Sequence, residues 1–123
     1  MRVYICPKAH KALKDISKSH KKEGLATKIK ESVSEASNFI SQKPPSEYPS
    51  WIILLGKSGE WSLYKIRVAI SGKGKSRGLR VYLACKNDLT LLLIFHLKSK
   101  RKLYTMKEIL EFLKNCLVSI GKT

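Results

Sequence analysis

The side chains in this sequence that could do chemistry are cations with one imidazole among them. Lys65, Arg67, Arg80, Tyr82, His96 and Lys98 fall in three segments of alternating character, "SLYKIRVAI" (62–70), "LRVYLAC" (79–85) and "LTLLLIFHLK" (89–98). Successive side chains of a strand point to opposite faces, so a meander of the three gathers these six residues on one face. Cations there would hold phosphates, and an aromatic ring would stack on an unpaired base. Such a face could also cut RNA without a metal. The 2′-oxygen attacks the adjacent phosphorus, a base takes its proton, cations stabilise the phosphorane, and an acid protonates the departing 5′-oxygen. His96 suits the base or acid because its ordinary pKa lies near neutrality. Lys65, Arg67, Arg80 and Lys98 supply the positive charge and Tyr82 the stacking ring. A plainer reading of His96 stays open, as a strand-end histidine satisfied by a backbone group.

Between the first two segments lies "SGKGKSRG", residues 71–78. Gly74-Lys75-Ser76 matches the end of a P-loop, G-x-x-x-x-G-K-[ST]. The first glycine of that motif would fall at 69, which is Ala69. A P-loop also leads into a helix whose N-terminus faces the phosphates, whereas a strand pattern follows here. The loop therefore reads as a basic hairpin turn, and no nucleotide triphosphate is expected. Either its lysines are simply solvated, or Lys73, Lys75 and Arg77 hold an anionic partner that offsets their mutual repulsion. Lys100 and Arg101 extend the same positive surface beyond the third segment.

Other chemistries lack their residues. A metal nuclease needs clustered carboxylates, and Glu60, Asp88, Glu108 and Glu111 fall in turns and on the last helix. No metal or other cofactor is expected. A serine-hydrolase elbow is absent, and His10 and His20 sit among lysines as solvated residues. Cys6, Cys85 and Cys116 are odd in number and show no C-x-x-C or metal spacing. They read as small core residues in a reducing, cytoplasmic setting. No apolar run reaches the ~20 residues of a membrane span.

The totals agree with a polyanion partner. Lys and Arg number 25 against 9 Asp and Glu, a formal charge of +16 over 123 residues. The field of such a surface attracts phosphate backbones or acidic proteins. The length and the 43% apolar content predict one folded domain spanning 1–123.

The elements that must position these residues follow from periodicity. "RVYIC" (2–6) predicts a short strand, and Pro7 opens a helix that ends near His20. Leu25, Ile29, Val33, Ala36 and Ile40 form the apolar stripe of a second helix, completing a basic antiparallel hairpin. Pro44, Pro45 and Pro49 stop it. "WIILL" (51–55) reads as a strand or a docked apolar segment. Leu91, Leu93, Phe95 and Leu97 are expected to share the inner face of the third alternating segment. Thr105 and Glu108 form a capping box for a last helix with Met106, Ile109, Leu110, Leu113 and Leu117 inward, and Gly121 ends it. The sum is an α+β domain: an N-terminal strand and helical hairpin, an antiparallel meander and a C-terminal helix, with the helices on one side.

Residues 63–115 resemble the C-terminal half of RelE/ParE-superfamily toxins, closest to the HigB-like branch. Lys65-Ile66-Arg67 matches that branch's "K-x-R" strand. Gly72, Gly74, Lys75, Ser76, Gly78, Arg80 and Val81 match its glycine loop and the strand after it, and Leu92, Leu93 and Lys98 match the next strand. Arg77 stands where a second glycine is usual, and His96 where tyrosine is common. The resemblance implies a RelE-like fold and the toxin of a type II toxin–antitoxin pair, a metal-independent endoribonuclease cleaving mRNA on the translating ribosome. It also implies a cognate antitoxin with an acidic segment. Two alternatives are a ParE-like inhibitor of DNA gyrase and a non-catalytic basic nucleic-acid-binding module.

Overall fold

The computed structural model describes residues 2–19, 24–70, 74–97 and 103–121, and for 19 and 74–77 it describes the backbone path alone. In chain order the elements are β1 (Arg2–Ile5), α1 (Pro7–Ser19), α2 (Leu25–Gln42), β2 (Ile52–Ser58), β3 (Trp61–Ile70), β4 (Gly74–Lys86), β5 (Leu89–Leu97) and α3 (Met106–Ser119). The fold is α+β, with five strands in one sheet in the order β1-β5-β4-β3-β2. β2 to β5 form the antiparallel meander. β1 adds to its far edge in parallel with β5, which makes the sheet mixed.

Local signals set the helices. Pro7 is the first residue of α1, where its missing N–H costs nothing. Leu25, Ile29, Val33 and Ala36 are the buried stripe of α2. The prolines end α2 and leave a single 3-10 turn at Pro45–Glu47, and "WIILL" continues as strand β2. At α3 the Thr105 hydroxyl accepts from the Glu108 amide and the Glu108 carboxylate accepts from the Thr105 amide.

One face of the sheet carries Ile66, Val68, Leu79, Val81, Phe95 and Leu97, as the register shows. α1 packs against β5 and α2 against β3, each settling on the sheet. Leu13, Ile29 and Val33 line an apolar groove there with Val3, Ile5 and Leu92.

The other face departs from expectation in two ways. The register between β4 and β5 shifts, so that Tyr82 faces Ile94 while Leu83 faces Leu92. The shift inserts one extra residue, and a bulge of this kind reverses the alternation beyond it. Leu91 therefore lies opposite Ala84, and Ala84 opposite Leu63, in the same face as His96 and not with Phe95 and Leu97. This apolar half of the second face is buried. α3 packs here and not beside α1 and α2. Its Met106 Cε approaches Gly56, which pairs with Leu63, and Tyr104 ahead of it meets Tyr82 and His96. Helices thus cover both faces, and each face offers them an apolar area.

A disulfide joins Cys6, between β1 and α1, to Cys116 on α3. Cys85 is the free cysteine. The expectation of three unbonded core cysteines is corrected: two are buried as expected, but the fold brings them together across 110 residues, a pairing with no mark in local spacing.

Candidate nucleic-acid interface

The half of the second face not floored by Leu63, Ala84 and Leu91 carries the cations. In the ladder Arg67 of β3 faces Arg80 of β4, and Arg80 faces His96 of β5. The next row is Lys65, Tyr82 and Ile94. Five of the expected site residues therefore occupy two adjacent rows across three strands, as alternation predicted.

The glycine loop is shorter than expected. Gly74 to Gly78 already belong to β4, and Gly74 pairs with Ile70. The side chains of Lys75 and Arg77, and all of Lys73, Lys98, Lys100, Arg101 and His20, lie outside the described residues. Gly78 has a steric reason to be glycine. A Cβ there would stand 2.1 Å from the Val68 carbonyl oxygen, beside the register shift between Val68 and Ile70.

The electrostatics are those of like charges drawn together. Burial, then the charges of Arg80 and Arg67, hold the Lys65 ammonium below its usual pKa. Burial and the neighbouring Arg67 likewise lower Arg80. Arg67 is anchored, since its Nη2 donates to the Ser50 carbonyl and its amide to that of Trp51. Its Nε is buried with no hydrogen-bond partner among the described residues. Also among the described residues, no group of three or more His, Cys, Asp or Glu side chains could hold a metal ion, and no helix is long and apolar enough to cross a membrane.

The aromatic part of the expected interface is corrected. Alternation predicts Tyr82 as a ring on which a base stacks, yet it is 1% exposed. Its ring stacks on His96, with centroids 5.8 Å apart and planes 27° apart. Tyr104 closes over both, at 5.4 Å from each centroid. The Tyr82 ring is therefore already occupied by protein. His96 is 7% exposed, as is Arg80. The His96 Nδ1 lies 3.0 Å from the Leu97 carbonyl oxygen, the backbone satisfaction that the plainer reading expected. That contact puts the proton of the neutral ring on Nδ1 and leaves Nε2 as its basic nitrogen.

Tyr104 and Phe112 escaped the sequence reading. Their rings meet edge to face at 5.9 Å, and the Lys8 Nζ sits 5.7 Å from the Phe112 centroid. The signal for Tyr104 was its place just before the Thr105 N-cap, where a large apolar residue commonly packs back on its helix.

The arrangement is a row of two guanidiniums ending in an imidazole beneath an aromatic cover, with one ammonium in the adjacent row. Comparison of the chain with protein-family models, curated proteins and solved structures finds no match.

Proposed function

We propose that the chain binds RNA at the Lys65, Arg67 and Arg80 cluster and cleaves it without a metal, as a toxin of a type II toxin–antitoxin pair acting on mRNA at the ribosome. The observation that carries the reading is the single cross-strand row Arg67–Arg80–His96. Two guanidiniums in that row would hold the phosphate diester and stabilise the charge that builds on it. The His96 Nε2 would then take the 2′-hydroxyl proton. The formal +16 charge supports a polyanionic target and an antitoxin with an acidic segment as partner. Both partners would be met in the cytoplasm.

The reading is tested with purified protein on a fluorescent mRNA carried by translating ribosomes, and on the same RNA free in solution with a chelator. Cleavage to 2′,3′-cyclic phosphate ends, lost in His96→Ala, is expected. Binding without cleavage in the active assembly, with ribosomes supplied, would remove the nuclease role.

A second reading, a non-catalytic basic nucleic-acid-binding module, is favoured by the burial of Tyr82 and His96 under Tyr104. On that reading the RNA is held, His96→Ala leaves its affinity unchanged, and no new ends form.

A further inference from the structure

The buried disulfide and the covered imidazole are connected by a short chain of contacts. Cys116 and Phe112 lie one turn apart on α3, a spacing that puts them on the same side of the helix. Phe112 meets Tyr104, and Tyr104 meets His96 and Tyr82. The bond from Cys116 to Cys6 therefore pins the turn of α3 whose Phe112 braces the cover. A cleft of about 190 Å³ opens beside it, lined by Cys6, Pro7, Lys8, Leu93, Phe112 and Cys116. The two cysteines are 4% and 2% exposed, so the cleft is the route by which a small thiolate would reach the sulfurs, with the Lys8 ammonium at its wall to attract it.

The geometry points to Cys6–Cys116 as a thiol–disulfide exchange site that controls access to His96. A dithiol reductant enters the cleft as its thiolate and attacks one sulfur. A mixed disulfide forms and the other cysteine leaves as thiolate, which takes up a proton. The second thiol of the reductant then displaces the first cysteine, and two electrons and two protons have passed to the pair. The reductant departs as its own disulfide. With the tie broken, the C-terminal turns of α3 are held by packing alone and open locally more often. Phe112 no longer braces Tyr104, and His96 is uncovered. In its functional consequence the inference rests on the RNA reading, since an uncovered His96 and Tyr82 are what that reading needs.

The test follows His96 directly, with no RNA present. Diethyl pyrocarbonate labels accessible imidazoles, and His10, exposed on α1, serves as internal reference. Oxidised protein and protein reduced with dithiothreitol are labelled and mapped by mass spectrometry, with far-UV circular dichroism to check the fold. The expected result is about a tenfold faster labelling of His96 on reduction, with His10 unchanged, as local opening requires. An equal His96 rate in folded protein with its thiols shown to be free overturns the proposal. Phe112→Ala keeps the disulfide and should uncover His96 without any reductant. That variant decides the matter if reduction unfolds the chain, and an unchanged His96 rate in it overturns the proposal too. RNA cleavage assayed in parallel separates the two readings. Faster labelling with no effect on RNA keeps the exchange site and removes the nuclease role.

Discussion

Arg67 and Arg80 stand directly opposite each other in the β3–β4 ladder, two guanidiniums where cross-strand pairs of like charge are unfavourable. Lys65 adds a third cation, and its pKa is depressed by burial and by both arginines. A fold that carries such a cluster bears a cost in stability that a bound anion would relieve.

The first prediction concerns that cost. The pKa of Lys65 in the folded protein lies below its ordinary value of 10.5, so between the two values the unfolded chain holds the additional proton. Stability linked to Lys65 thus rises as pH climbs through this window and is lowest at and below the folded-state value. Lys65→Met removes the linkage. Urea unfolding at about pH 7 should find the variant as stable as the parent, or more stable by up to about 1 kcal/mol, and the difference should shrink near pH 10. A difference that grows with pH would contradict the assignment.

The arginine row should also set the salt dependence of RNA binding. Arg80→Gln is expected to weaken binding to single-stranded RNA without regard to sequence. The slope of log affinity against log salt should fall by about 0.7 for one lost phosphate contact. Fluorescence anisotropy at several salt concentrations measures it. An unaltered slope would place the RNA elsewhere on the positive surface.

What the sequence made legible was what is local or strictly periodic. The α2 stripe from Leu25 to Ala36, the Thr105–Glu108 box and the alternation of Lys65 with Arg67 each depend on neighbours a few residues away. The structure repeats them. The bulge near Leu93 has no such signature. Five consecutive apolar residues, Leu91 to Phe95, read the same in either register, and only the partner strand decides which of them turns outward. That one shift puts Leu91 on the face of Arg80 and His96, where α3 packs. The burial of Tyr82 and His96 comes from Tyr104, a contact that alternation alone could not place. The Cys6–Cys116 bond joins residues 110 apart and depends on the same placement of α3.

Gly78 offers a test of the β3–β4 hairpin. An added methyl there meets the Val68 carbonyl at 2.1 Å, and the obstacle is backbone, which cannot rotate away. Gly78→Ala should destabilise the protein by about 2–4 kcal/mol, in the range of severe packing conflicts. Urea unfolding would register it as a lower midpoint. A loss within about 0.5 kcal/mol, typical of unremarkable surface sites, would mean that the register shift at Val68 relaxes freely.

The disulfide closes nearly the whole chain, and a closed loop of that length restricts the unfolded ensemble most. The chain-entropy model assigns about 4.7 kcal/mol to a loop of ~100 residues, with measured losses of about 2–5 kcal/mol for small domains. Cys6→Ser with Cys116→Ser should therefore lower stability by an amount in that range, seen as a midpoint shift in urea at fixed pH. Thiol titration of the denatured, unreduced parent should count one free cysteine, Cys85. Three would refute the bond outright. The combination separates two roles of the pair, because Cys85→Ser should change neither the stability nor the reduction-dependent labelling of His96. If the double variant loses stability while His96 stays covered in its folded fraction, the bond is a staple for the unfolded state alone. If His96 is uncovered as well, the bond also holds α3 in place through Phe112 and Tyr104.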